Sequence, residues 1–407
     1  MSYFITDNPS RMESGTETIL KNQAGRVDFV DALRGFAIVS ILLLHNLEHF
    51  DFYYLPPGLP DWMKSLDKSI FDVIGFLFSG KSYAIFALLF GFTFNLMDAK
   101  QAKKGYDFRL RFLWRLFLLL LFGLFNTIFY QGDILNMYAL MGLAILPVCR
   151  LSDKALLWVA IVLLLQPVFV SQFIYSLFNP DYAPVEISAG KYFRLAAITQ
   201  GGDSFLEMVK GNFTNGKIAV YVWSWFKGRF FQAPALFMLG MLLGRKKLLV
   251  HSPVSDKFWK TTSILTLLIS LLFILFSREL ISLTQGFASK SLARSLDSWY
   301  NLSMTFLWVS ILYLLYKAQF ARKALNKLIP FGRMSLSSYV MQSILGAFIY
   351  YGFALGLYQY TGAGYSLLIG ILLFLFQGWF CSVWLKTHSR GPLESLWHKL
   401  TWLNYKK

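Results

Sequence analysis

Asp31, Arg34, Ile38, Ile41, His45 and Glu48 fall at i, i+3, i+7, i+10, i+14 and i+17, a spacing that keeps them on one face of an α-helix. From Arg34 to His45 the helix rises roughly 16 Å. One face then carries a cation near one end and an imidazole toward the other, with Glu48 placed to fix the imidazole's tautomer. That arrangement has the form of a catalytic dyad. The same residues also fit a structural role, with Arg34 paired to Asp31 and with His45 and His49 satisfied by neighbours. Of the 5 histidines, His45 and His49 have the i, i+4 spacing that can share a metal ion. No third ligand stands at a diagnostic spacing, and no metal is expected.

Other polar residues lie within or beside apolar runs. Lys81 and Asp133 are expected toward an outer mouth, where they could bind a polar acceptor. Arg109, Arg111 and Arg115 open one apolar run and Arg333 opens another. Arginines so placed grip phosphates bidentately, or simply anchor the chain to anionic headgroups. Gly-x-Ser-x-Gly, Walker and dinucleotide-binding patterns are not evident, which argues against common hydrolase, ATPase and Rossmann chemistries. The 2 cysteines, Cys149 and Cys381, define neither a disulfide framework nor a Cys-based metal site.

The elements that must position these groups are apolar helices. Of 407 residues 56% are hydrophobic, 18% aromatic and only 15% charged, and the mean hydropathy is +0.49, too apolar for a soluble globular domain. Runs of about 20 mainly apolar residues, each long enough to cross roughly 30 Å of hydrocarbon as a helix, are expected near 33–50, 70–97, 110–130, 133–150, 155–178, 229–249, 259–281, 298–317, 334–356 and 364–385. The insert Ser79-Gly80-Lys81-Ser82 is expected to break the second of them. Barrel strands are excluded by the run lengths.

The expected fold class is therefore all-α, a polytopic transmembrane bundle of about ten spans. A polar N-terminal tail occupies 1–32, the bundle 33–385 with an outer loop at 179–228, and a tail with an amphipathic interfacial helix 386–407. The formal charge of +17, from 39 Lys and Arg against 22 Asp and Glu, would suggest nucleic acid in a soluble protein. Here it marks orientation. If the spans alternate, 27 of the 39 Lys and Arg fall on the side of both termini, which the positive-inside rule makes cytoplasmic. No nucleic-acid partner is expected.

The stretch Val27-Asp28-Phe29-Val30-Asp31-Ala32-Leu33-Arg34-Gly35-Phe36-Ala37-Ile38 resembles the opening of the YeiB-like family of bacterial integral membrane proteins. Later blocks resemble that family in order: Phe78-Ser79-Gly80-Lys81-Ser82-Tyr83, Leu89-Phe90-Gly91-Phe92, Gly132-Asp133-Ile134-Leu135, Phe331-Gly332-Arg333-Met334-Ser335-Leu336 and Arg390-Gly391-Pro392-Leu393-Glu394-Ser395-Leu396-Trp397. The resemblance divides the bundle into an acyltransferase-like half at 33–178 and a YeiB-like half at 229–385. It implies kinship with transmembrane acyltransferases, similar to acyltransferase family 3 and to the heparan-α-glucosaminide N-acetyltransferases.

Those enzymes move an acyl group, here expected to be acetyl, from cytoplasmic acyl-CoA to a hydroxyl or amine across the membrane. By that resemblance the protein is a multi-pass protein of the plasma (inner) membrane among membrane lipids, and acyl-CoA is the donor substrate. The acceptor would be a glycan, a lipid or a small molecule. His45, or the adjoining Asn46, corresponds to the working residue, oriented by Glu48, with Asn46 or Lys81 at the oxyanion. Asp31, Arg34, Arg111, Arg115 and Arg333 would serve the donor, and Lys81 and Asp133 the acceptor. The alternative is a transporter or flippase of a small amphiphilic or polar molecule, in which the same polar face lines a permeation path.

Overall fold

A computed structural model describes residues 27–403 apart from Leu55. The polar tail expected at 1–32 therefore lies, through residue 26, outside the described residues. Those described are helical, with no strand among them. By length and composition five helices are able to cross a membrane, or seven if each of two bent pairs is one span.

The first helix, α1 (Asp28–Leu47), occupies the centre. Of its most apolar stretch 67% is buried, against 6% for α12 (Pro253–Ser282), so α1 is surrounded by protein whereas α12 presents its Leu and Ile side chains outward. The expected break in the second run is found: α2 (Asp61–Phe78) gives way to α3 (Ser82–Ala102). Gly80 takes φ +75 at the break, and a Cβ there would meet the Asn301 side chain at 2.6 Å, so both backbone and space require glycine.

Next come α4 (Arg109–Thr127) and α5 (Leu135–Val148), a short element interrupted by a 3-10 turn at Gly142–Ala144. The run expected at 155–178 is a pair, α6 (Asp153–Leu164) and α7 (Pro167–Phe178), bent by 48°. Gln166 at φ 56 makes the corner, and Pro167, pre-set for a first helical turn, starts the second helix.

The expected outer loop at 179–228 is instead largely helical, as α8 (Ala189–Gly201), α9 (Phe205–Gly211) and α10 (Lys217–Phe226). It folds back on the bundle, where the Gly352 N–H donates to Gln200 O at 2.9 Å. The remaining elements are α11 (Arg229–Arg245), α12, α13 (Gly286–Leu315), α14 (Gln319–Asn326), α15 (Ile329–Arg333), α16 (Ser335–Tyr350), α17 (Ala363–Thr387) and α18 (Pro392–Trp402). At 17 and 16 residues, α11 and α16 are about 24 to 26 Å long, short of a full hydrocarbon core.

In lipid, helices associate through close packing and interhelical hydrogen bonds rather than through the hydrophobic effect. Both devices are present. Gly91 and Gly240 let α3 and α11 cross backbone to backbone, each facing a carbonyl of the other helix. Gln232 Nε2 donates to Ser298 O at 2.8 Å, Gln166 Nε2 to Ser298 Oγ at 2.8 Å, and Ser270 and Ser303 share a hydrogen bond at 2.9 Å. Each such bond contributes about 0.6 to 2 kcal/mol.

Candidate functional site

At the end of α1 the helix stops at Leu47, and His49, Phe50 and Asp51 follow at φ 46, 55 and 67. Three successive non-glycine residues in the left-handed region cost about 1 to 3 kcal/mol each and persist only where the surroundings hold them. Phe50 is fully buried, packed on His45, Tyr130 and Tyr350, and its carbonyl accepts from the Tyr351 hydroxyl at 2.8 Å. The reversal brings Asp51 back to the helix end. Ligand atoms of His45, Glu48 and Asp51 lie within 4.8 Å of one another.

His45 Nδ1 is 3.2 Å from Glu48 Oε2. The Tyr130 hydroxyl sits 3.2 Å from Nδ1 and 3.3 Å from Nε2, beside the ring rather than in line with either nitrogen. With Nδ1–H donating to Glu48, Nε2 is left to accept a proton. Burial, and then the neighbouring Glu48 carboxylate, push Asp51 up to about 6. The trio is also a plausible donor set for a divalent cation, two carboxylates and one imidazole. The spacing His45/His49 misses this set, because the reversed backbone turns His49 away: its Nε2 meets Ser366 Oγ at 2.9 Å and Thr361 Oγ1 at 3.2 Å.

Below this cluster a cavity of about 1040 Å³ runs along the face of α1 marked by Arg34, Ile38 and Ile41. Its mouth carries Lys100, Lys104, Arg333 and Arg390, and its deep end Ile41, Ile134 and Tyr339. His45 lies one helical turn beyond Ile41, a rise of about 6 Å, and does not itself line the cavity.

The arginines expected to hold phosphate are largely engaged by protein. Arg34 Nη1 donates to Asp31 Oδ1 at 2.9 Å and Nη2 to Thr93 Oγ1 at 3.3 Å. Arg111 donates to Thr401 O at 2.8 Å, and Arg115 stacks 4.1 Å over Trp397 while donating to Thr401 Oγ1 at 3.1 Å. These two dock α18 onto α4. Arg333 stays at the mouth, 3.5 Å from Ser389 O. Lys100, Lys104 and Arg390 have no carboxylate partner among the described residues. The charge count included them, but no spacing distinguished them from anchoring cations.

Asn46 is buried on another face of α1, where Nδ2 donates to Leu42 O at 2.7 Å and Oδ1 accepts from the Tyr350 hydroxyl at 3.0 Å. It is not aimed at the His45 imidazole. Asp133 lines neither cavity. It ties α4 to α5, accepting from Asn126 Nδ2 and from the Asn136 N–H, both at 2.9 Å. Lys81, 4% exposed, lines a second cavity of about 420 Å³ on the other side of α3's start. The structure thus brings His45, Glu48, Tyr130 and Asp51 together, keeps Arg34, Arg115 and Arg333 along one cavity, and separates Lys81 from Asp133.

Residues 243–404 match the family described as "Protein of unknown function (DUF418)". Over 96% of its length the chain is 27% identical to YxaH of Bacillus subtilis (strain 168), covering 98% of that protein. It is 26% identical to YeiB of Escherichia coli (strain K12) over 91% of this chain and 95% of that one. The YeiB-like resemblance is supported. A Bacillus acidopullulyticus protein, encoded 3' of an amylase, is 25% identical over 93% of this chain and 94% of its own. All three are described as uncharacterized. No solved structure matches the chain. Its long apolar helices make this a membrane protein.

Proposed function

We propose that this YeiB-like protein is a membrane-embedded acyltransferase that takes an acyl group, acetyl being the simplest, from acyl-CoA. One observation carries the reading: a cavity with a basic mouth and an apolar depth leads along α1 to within one helical turn of an imidazole paired to a carboxylate. Acyl-CoA has the matching polarity, with phosphates at one end and a thioester on an uncharged arm at the other. Lys100, Lys104, Arg333 and Arg390 receive the phosphates, and Arg34, steadied by Asp31, borders the passage.

His45 Nε2 removes the proton from an acceptor hydroxyl or amine, and Glu48 holds the imidazole and stabilises its cation. The acceptor oxygen or nitrogen then bonds to the acyl carbon, the C–S bond breaks, and His45 returns the proton to the leaving thiolate. In this reading the chain crosses the plasma (inner) membrane about ten times with both termini cytoplasmic, and the mouth faces the cytoplasm, in keeping with its excess of Lys and Arg.

The test uses purified full-length protein with acetyl-CoA, following CoA release with water or an added alcohol as acceptor. His45→Gln is expected to slow release at least 100-fold with acetyl-CoA affinity unchanged. Equal release by wild type and variant would remove His45 from the chemistry. Solute uptake into liposomes without any acyl donor would favour a transporter instead.

A further inference from the structure

The second cavity, about 420 Å³, lies between the α2–α3 break, the end of α10, the start of α11 and the middle of α13. It is lined by two carboxylates and three cations, and both carboxylates are already paired: Asp297 Oδ2 with Lys227 Nζ at 2.8 Å and Asp72 Oδ2 with Lys68 Nζ at 2.6 Å. That leaves Lys81 and Arg229. Lys81 is 4% exposed, yet among the described residues no carboxylate or other acceptor bonds its Nζ. The Phe76 and Tyr300 rings flank it, at 5.8 and 5.5 Å.

Arg229 is clamped between the Tyr83 and Trp223 rings, each 4.2 Å from its guanidinium carbon. Stacking fixes the plane and leaves the N–H edges, which have no acceptor among the described residues, directed outward from the rings. Gln232 beside them is spent, with Nε2 on Ser298 O and Oε1 accepting from the Tyr83 hydroxyl. Asp297 lines the same cavity, but among the described residues no carboxylate hydrogen-bonds either Lys81 or Arg229, and a buried cation with no bonded acceptor is costly unless an anion joins it.

We propose that this cavity is an oxyanion subsite, in which Lys81 Nζ and the Arg229 guanidinium receive a carboxylate or phosphate group carried by the acyl acceptor. Only the word acceptor rests on the acyl-transfer reading; the anion site stands on its own geometry. The volume takes a small anionic metabolite or the headgroup of an anionic lipid, within the range of ordinary ligand pockets.

The test measures two anions on the full chain in detergent, glycerol 3-phosphate by calorimetry and retained phosphatidylglycerol, against phosphatidylcholine, by native mass spectrometry. Saturable heat with glycerol 3-phosphate, weakened at least tenfold by Lys81→Met and by Arg229→Gln but retained in Lys81→Arg, identifies a soluble anion. Selective retention of phosphatidylglycerol, lost in the same two variants and kept in Lys81→Arg, identifies a lipid headgroup. Acetyl-CoA binding on the same samples reports folding and the donor reading separately. If wild type binds neither anion, or if Lys81→Met and Arg229→Gln bind as wild type does, the subsite does not exist, whatever acetyl-CoA does.

Discussion

The two cavities differ less in how many cations they hold than in what those cations already touch. Along the large cavity, Arg34 is tied to Asp31 and Arg115 to Trp397 and Thr401, so these guanidiniums are parts of the wall. Lys100, Lys104 and Arg390, which have no carboxylate partner among the described residues, stand at the mouth. In the small cavity the reverse holds: the buried Lys81 and the half-buried Arg229 have no hydrogen-bond acceptor among the described residues, while the exposed Lys227 is paired. An arginine beside a cavity is a ligand-binding group only when its hydrogen bonds are not already made.

Four variants probe this contrast, in falling order of effect. His45→Gln should cut acyl transfer at least 100-fold in a CoA-release assay. Replacing Lys100, Lys104 and Arg390 together by Ala should weaken acetyl-CoA binding about 10- to 100-fold and flatten its salt dependence, since each exposed cation interacts weakly but jointly with a phosphate. Arg34→Ala should weaken it by less, and Arg34→Ala with Asp31→Asn should regain stability lost in the single variant, because the first change alone takes the Arg34 ion pair from a buried carboxylate. A larger effect at Arg34 than at the mouth, read by calorimetry, would reverse the assignment.

Asp51 faces Glu48, His45, Tyr130 and Arg229, and its carboxyl holds its proton up to about 6. An unfolded chain gives up that proton near 4, so between these values the folded state binds the extra proton and stability falls as pH rises. Asp51→Asn should therefore melt a few degrees above wild type at pH 7.5, with the gap closing toward pH 4.5. The smallest change is expected at Glu394, which accepts from Leu336 N at 2.7 Å, Ser337 N at 3.1 Å and Ser337 Oγ at 2.5 Å. Glu394→Gln should cost roughly 1 to 3 kcal/mol, seen as a lower melting temperature and faster proteolysis of α18.

Much of the fold was legible because apolar length and helical period are local properties. Residues Arg34, Ile38 and Ile41 do share the cavity face that their spacing assigns, and the break at Gly80 and the helix at Pro392–Trp402 fall where polar insert and apolar stripe place them. The helices within 179–228 were hidden because their mixed composition is neither a span nor a clear stripe. At the site, His45 with Glu48 was legible as an i, i+3 pair. Tyr130 and Asp51 were not: one comes from the turn after α4, the other from a left-handed reversal that no periodicity describes. Asn46 and Asp133 misled because a polar residue in a span looks alike whether it faces a ligand or, as here, a tyrosine hydroxyl and a helix end.

The central claim is that the large cavity delivers an acyl-CoA thioester to His45 through the passage at Ile41. It is tested most directly by titrating acetyl-CoA into purified full-length wild type and Ile41→Trp, with binding read by calorimetry and CoA release by a thiol assay. The prediction is similar affinity in both and CoA release at least tenfold slower in the variant, whose indole fills the passage. Unchanged release in Ile41→Trp, or no acetyl-CoA binding by wild type, would contradict it.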